Sequence, residues 1–126
     1  MSNPLIKSFK ASAAVDGNLF AKAGTGAVAE ATAATDKIIG VFERVGADSG
    51  HQADVILSGW YELRLGGNVA FGDPLTSDDE GRGVVAAPVA DAIVRVGAFA
   101  MDAGSEGDII PVFVAPQLLA TPAEPA

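Results

Sequence analysis

Apolar and polar residues alternate along this chain in short runs, and the period is two, not 3.6. In Trp60-Tyr61-Glu62-Leu63-Arg64-Leu65, residues Tyr61, Leu63 and Leu65 share one face and Trp60, Glu62 and Arg64 the other. That is the pattern of a strand with one face in a core and one face wet or at an interface. Residues 37–45 and 53–58 are rich in β-branched side chains and read as strands. Further strands are predicted over 18–23, 68–71, 84–89, 92–101 and 108–114. Pro88 and Pro111 mark an edge or a bulge in theirs, because proline donates no ladder hydrogen bond. Glycine-rich clusters at 46–50, 66–67, 72–74 and 102–107 are turns, as is the polar run 76–82. Residues 27–35 read as a loop or as one to two helical turns.

The apolar runs recur. Gly24-Thr25-Gly26-Ala27-Val28, Ile39-Gly40-Val41-Phe42, Gly50 and Val55-Ile56-Leu57 return as Gly81-Arg82-Gly83-Val84-Val85, Val96-Gly97-Ala98-Phe99, Gly107 and Val112-Phe113-Val114, each 57 positions later. A repeat of this size implies two copies of one supersecondary unit. The expected fold is therefore mainly β: a small β-barrel or β-sandwich built from two similar halves, with at most one short helix. Gly40 and Gly97 fall inside strands and predict a bulge or sharp bend. Three segments follow: an extended N-terminal arm (1–14), a single β-rich domain (15–115) and a flexible C-terminal tail (116–126). Trp60 to Leu65, the arm and the tail fall outside this matched register.

Composition narrows the function. Half of the 126 residues are hydrophobic, but much of that is alanine, with one Trp and one Tyr. Alanine buries little area, so subunit contacts would add what the core lacks. Residues 1–37 carry four lysines against three acids, a balance of +1, and the remainder four arginines against thirteen acids, −9. An acidic body argues against nucleic-acid binding, which needs a basic footprint. With no cysteine, thiolate metal sites and disulfides are excluded. No apolar run reaches membrane-spanning length, and residues 1–7 lack the apolar region of a signal peptide, so a soluble, intracellularly made protein is expected.

No constellation carries chemistry. Asp78-Asp79-Glu80 are consecutive, whereas a calcium loop needs alternating oxygen ligands. His51, the single histidine, lies near Ser49, Asp48 and Asp54, but its repeat counterpart is Asp108. A hydrolase on Ser49 and His51 is the weaker alternative. Gly24-Thr25-Gly26 and Gly81-Arg82-Gly83 lack the Gly-Lys-Ser/Thr ending of a phosphate loop. No cofactor and no metal are expected. Trp60 reads equally as a subunit anchor and as a partly covered aromatic beside Arg64.

In their order, Asp36-Lys37-Ile38-Ile39-Gly40-Val41, Gly50, Ala53-Asp54-Val55-Ile56-Leu57-Ser58-Gly59, Asn68-Val69-Ala70-Phe71-Gly72-Asp73-Pro74-Leu75 and Gly104-Ser105-Glu106-Gly107-Asp108-Ile109-Ile110-Pro111-Val112 resemble the capsid cement, or decoration, proteins of tailed phages. The resemblance spans roughly residues 15–115. It implies a non-enzymatic structural protein, made in the host bacterial cytoplasm. Such a protein is often trimeric and sits on the outer surface of the virion, clamping neighbouring major capsid protein subunits. Its partners would be that protein and itself, with no nucleic acid and no membrane. Contact candidates are Leu5, Ile6, Lys7, Phe9 and Lys10 in the arm, Trp60 and Arg64 in the body, and Leu118 and Leu119 in the tail. Deleting residues 1–11 is expected to spare folding and weaken shell binding. Alternatives are a head-fibre or tail component and a carbohydrate-binding β-sandwich using Trp60.

Overall fold

The computed structural model describes residues 4–87 and 93–120. They form nine strands: β1 (Leu5–Lys10), β2 (Phe20–Ala23), β3 (Val28–Glu30), β4 (Ile38–Phe42), β5 (Gln52–Arg64), β6 (Pro74–Ser77), β7 (Gly83–Val85), β8 (Ile93–Ala100) and β9 (Ile109–Ala120). One antiparallel sheet runs in the order β3-β2-β4-β5-β9-β8-β6-β7, with β1 added to β5. The fold is mainly β, as the alternation implies, and no helix occurs among the described residues. The sheet is not closed into a barrel. Single parallel bridges, Ala11 to Val28 and Leu65 to Gly83, tie the ends of each half loosely.

The halves are two copies of one five-stranded unit that share β5. The first end of β5 pairs with β1 and β4, and residues 59–64 pair with β9. Those last residues do for the second half what β1 does for the first: Lys7 faces Val55, and Tyr61 faces Val112. The correspondence continues through Ala21–Glu30 and Leu75–Val85, and through Phe20–Val41 and Pro74–Phe99. It extends to single hydrogen bonds. The Ala11 N–H donates to the His51 carbonyl at 2.9 Å, and the Leu65 N–H to the Asp108 carbonyl at 2.8 Å. The spacing is not a constant 57, however. Gly26 and Gly81, both at positive φ (69° and 77°), are the true counterparts, as are Gly40 and Ala98. Residues 60–65 lie inside the register, not outside it. Loops of unequal length between the strands absorb the differences.

Where two strands were expected around Gly59, β5 is continuous. Gly59 sits at φ +108°, and a Cβ there would stand 2.9 Å from the Pro4 Cα, so this position takes the bend between the halves without a side chain. Residues 27–35, left between loop and helix, contain β3. Expected as a turn from residue 76, the chain instead forms β6. Residues 116–120, expected in the tail, continue β9 through Gln117–Val96 and Leu118–Arg95. Pro111 lies within the sheet, not at its edge. Its carbonyl accepts from the Met101 N–H at 3.0 Å, so its missing N–H points past the end of β8 and costs no bond to β5. Pro88 and residues 121–126 lie outside the described residues.

The arm is a sheet strand. All six residues of β1 pair with β5, Ala11 is fully buried and Phe9 packs on the first core. Deleting residues 1–11 would uncover Ala53 and Val55, so the expectation that folding survives is corrected: the sheet loses a strand and part of a core.

Two cores follow from the alternation along β5. Ala53 and Val55 point into the first, with Ala11, Val15, Ala21, Val28 and Phe42. Leu63 and Leu65 point into the second, with Leu75, Ile110, Val112 and Val114. The second core also receives Phe20, Val41 and Ile56 from the outer face of the first half, each 0% exposed. The first half therefore caps the second.

Candidate interaction surface

Residues directly opposite on paired strands project from the same face. In the first half this aligns Ile6, Ile56, Val41 and Phe20 across β1, β5, β4 and β2. In the second half the equivalent row is Trp60, Phe113, Phe99 and Pro74 across β5, β9, β8 and β6. The first row is buried against the second core apart from Ile6. Trp60 is 53% and Phe113 46% exposed, and Phe99 and Pro74 are half-buried. A contiguous aromatic row exposed on a small protein marks a contact surface.

The inner face of the first half carries an apolar groove of about 420 Å³, lined among others by Phe9, Ala23, Val28, Ile39 and Leu57. Its wall residues Phe9, Ile39 and Leu57 are half-buried. Their counterparts Leu63, Gly97 and Val114 are buried, because Phe20 and its neighbours lie over them. A polar cleft of about 600 Å³ lies between the halves, with Asp16, Glu30, Arg44, Arg64, Glu80 and Arg82 on its walls.

The structure separates the candidates read from the sequence. Leu5, Ile6, Lys7 and Lys10 are exposed on β1, while Phe9 turns inward to wall the groove. Trp60 and Arg64 are exposed on the outer face of β5, as their alternation requires; Arg64 donates to the Gly107 carbonyl at 3.3 Å. Leu118 is exposed near the end of β9, and the side chain of Leu119 lies outside the described residues. Sequence reading missed Phe113 and Phe99. The repeat matches Phe113 to Ile56, but at a constant offset of 57 it matches Phe99 to Phe42, and only the strand pairing puts Phe99 in the position of Val41.

The polar groups serve structure. Arg82 pairs with Asp78 at 2.8 Å, Glu80 at 3.4 Å and Glu106 at 3.5 Å. The Asp78 carboxylate also accepts the Glu80 and Arg82 N–H groups, closing the acidic turn on itself. The Ser49 hydroxyl donates to the Ser12 carbonyl, and among the described residues no side-chain hydrogen bond joins His51 to Ser49, Asp48 or Asp54. Burial pushes the Tyr61 phenol up, aided by nearby Glu43 and opposed by the Arg44 N–H that it accepts at 2.9 Å.

Burial by itself would raise the Asp36 carboxyl. The Thr32 N–H at 2.8 Å, the Thr32 hydroxyl and the Lys22 ammonium at 3.6 Å outweigh it and hold the group below the usual carboxylate range. A depressed folded-state value stabilises the fold above the unfolded value of about 3.9 and is lost as pH falls through the folded one. Denaturant midpoints should therefore drop below about pH 4, and Asp36→Asn should flatten that part of the profile while lowering stability at neutral pH. An unchanged acid limb in the variant would remove Asp36 as a contributor.

No protein-family model matches the chain, and no curated protein matches it. Among solved structures the fold is similar to that of the N base of the head fibre protein gp8.5 of bacteriophage phi29. The TM-score is 0.62 at 16% identity, covering 90% of this chain and 95% of that one. The two share a fold across nearly their whole lengths.

Proposed function

We propose that the protein is a non-enzymatic structural component of a tailed-phage virion, placed on the outer surface of the head. In this reading a homo-oligomer, a trimer, clamps neighbouring major capsid protein subunits. The observation that carries it is a fold shared end to end with the base of a phage head fibre. The exposed apolar rows Leu5–Ile6 and Trp60–Phe113 add surface suited to protein contacts. The proposed role is the presentation of surface, and it calls for no cofactor, nucleic acid or membrane. Of the charges lining the cleft between the halves, Arg82 pairs with Glu80, Arg64 donates to the Gly107 carbonyl and Glu30 accepts the Asp16 N–H.

A second reading, that the chain is the base on which a head fibre stands, is favoured by the same likeness. Both readings place the protein on the head exterior, and they differ in whether it carries a further appendage. The purified protein should co-sediment with expanded phage heads that lack it, and weakly or not at all with unexpanded shells. Absence from the pellet in both cases would overturn the proposal.

A further inference from the structure

The two halves differ in what covers them, and the difference is complementary. Within the chain, the row Ile56–Val41–Phe20 of the first half is seated on the inner face of the second half. In the second half the equivalent row is open to solvent, with Trp60 and Phe113 exposed and Phe99 and Pro74 half-buried. The first half presents the equivalent inner face, the Phe9–Val28–Ile39–Leu57 groove, which no described residue covers. One molecule thus carries both members of a contact that it makes internally once.

We propose that a second copy of this chain fills the groove. The Trp60–Phe113–Phe99–Pro74 row of one copy seats on the inner face of the next copy's first half, repeating the internal contact between molecules. At one position the sizes trade between the walls. Internally the large Phe20 lies over Gly97, where a Cβ would stand 2.4 Å from the Phe20 Cε1. Between copies the smaller Pro74 replaces Phe20, and Ile39 replaces Gly97. At the neighbouring positions Phe113 and Phe99 are larger than Ile56 and Val41, and they enter a groove that stands open by about 420 Å³. The rim agrees: Ala23 is exposed at the groove, and its counterpart Ser77 is buried under the internal contact. Such a contact uses two different patches, so it is heterologous and propagates until a rotation closes the ring. The inference rests on the reading of the protein as a homo-oligomer, and not on its binding a phage shell.

The test uses the full chain, with mass measured by light scattering and fold checked by circular dichroism. The wild type should have a multiple of the chain mass. Phe113→Glu blocks the row and Ala23→Glu blocks the groove; both sites are exposed, so the fold is expected to persist. Each variant alone should run as a monomer. Mixed, they should form a one-to-one dimer, since an intact row meets an intact groove once. The Trp60 emission should shift to shorter wavelength as wild-type protein is concentrated through its association range. A monomeric wild type, variants that keep the wild-type mass, or a mixture that stays monomeric would each overturn the proposal. Head binding is scored separately by co-sedimentation, so failure there is distinguishable from failure here.

Discussion

Replacing Phe20 by alanine is expected to lower the unfolding free energy by about 3–5 kcal/mol. Phe20 is 0% exposed and belongs to the outer row of the first half, yet its ring lies in the core of the second. Its backbone N–H donates to the Gly81 carbonyl at 2.8 Å and its carbonyl accepts the Ala31 N–H at 2.9 Å. The backbone at Phe20 is thus fixed on both sides, and truncation of the ring leaves a cavity that the strands cannot close. Small domains have about 5–15 kcal/mol in total, so this one change removes a large share. Phe71→Ala, at a side chain 72% exposed, is the matched control and should shift stability by less than about 0.5 kcal/mol. Equilibrium denaturation of both variants checks the contrast. A mild Phe20→Ala would mean that the halves do not depend on the plug between them.

The second large effect is expected at the facing position. Gly97 stands on β8 where the register against β9 shifts, and a side chain there meets the Phe20 Cε1 at 2.4 Å and the Ile38 Cγ2 at 2.8 Å. Gly97→Val should cost about 2–3 kcal/mol by overpacking. The two substitutions should not add. With Phe20 truncated, the valine enters the space that the ring has left, and the double variant should be more stable than the sum of the singles by about 1–2 kcal/mol. Simple additivity would show that Phe20 and Gly97 do not share one space. At the counterpart of Gly97 the first half carries the large Ile39, and no described residue lies over its groove.

The strands were legible where alternation was strong. Residues 60–64 read correctly because the two faces of β5 differ in burial there, and residues 93–100 form β8 within the span expected for a strand. The duplication was legible too, from turn glycines such as Gly50 and Gly107, which need positive φ in both copies. What the sequence hid came from tertiary context. β5 runs unbroken through Ser58-Gly59, where composition alone signals a stop, because Pro4 and Val114 support the backbone there. The strand β3 is short and alanine-flanked, and only its pairing with β2 makes it a strand. Residues 5–10 looked like a free arm because their outward side chains are mostly polar or exposed; the ladder to β5 is a backbone property with no composition of its own.

The contact surface was half legible. Trp60 stood out as the single tryptophan on a wet face, and Arg64 beside it is exposed as expected. Phe113 and Phe99 were hidden because each alternates like a core residue in a β-rich run. Phe113 is exposed and Phe99 half-buried because no described residue lies over them, a matter of tertiary packing and not of local sequence. Ile56 and Val41, chemically similar and in the same register, are buried for the complementary reason.

The most direct test of the proposed function is a cryo-electron-microscopy difference map between phage heads with and without the protein. Density on the outer surface into which the duplicated nine-stranded sheet fits, in contact with neighbouring major capsid protein subunits, is the result expected. Heads of identical exterior, with the added density inside the shell or on the tail, would contradict it.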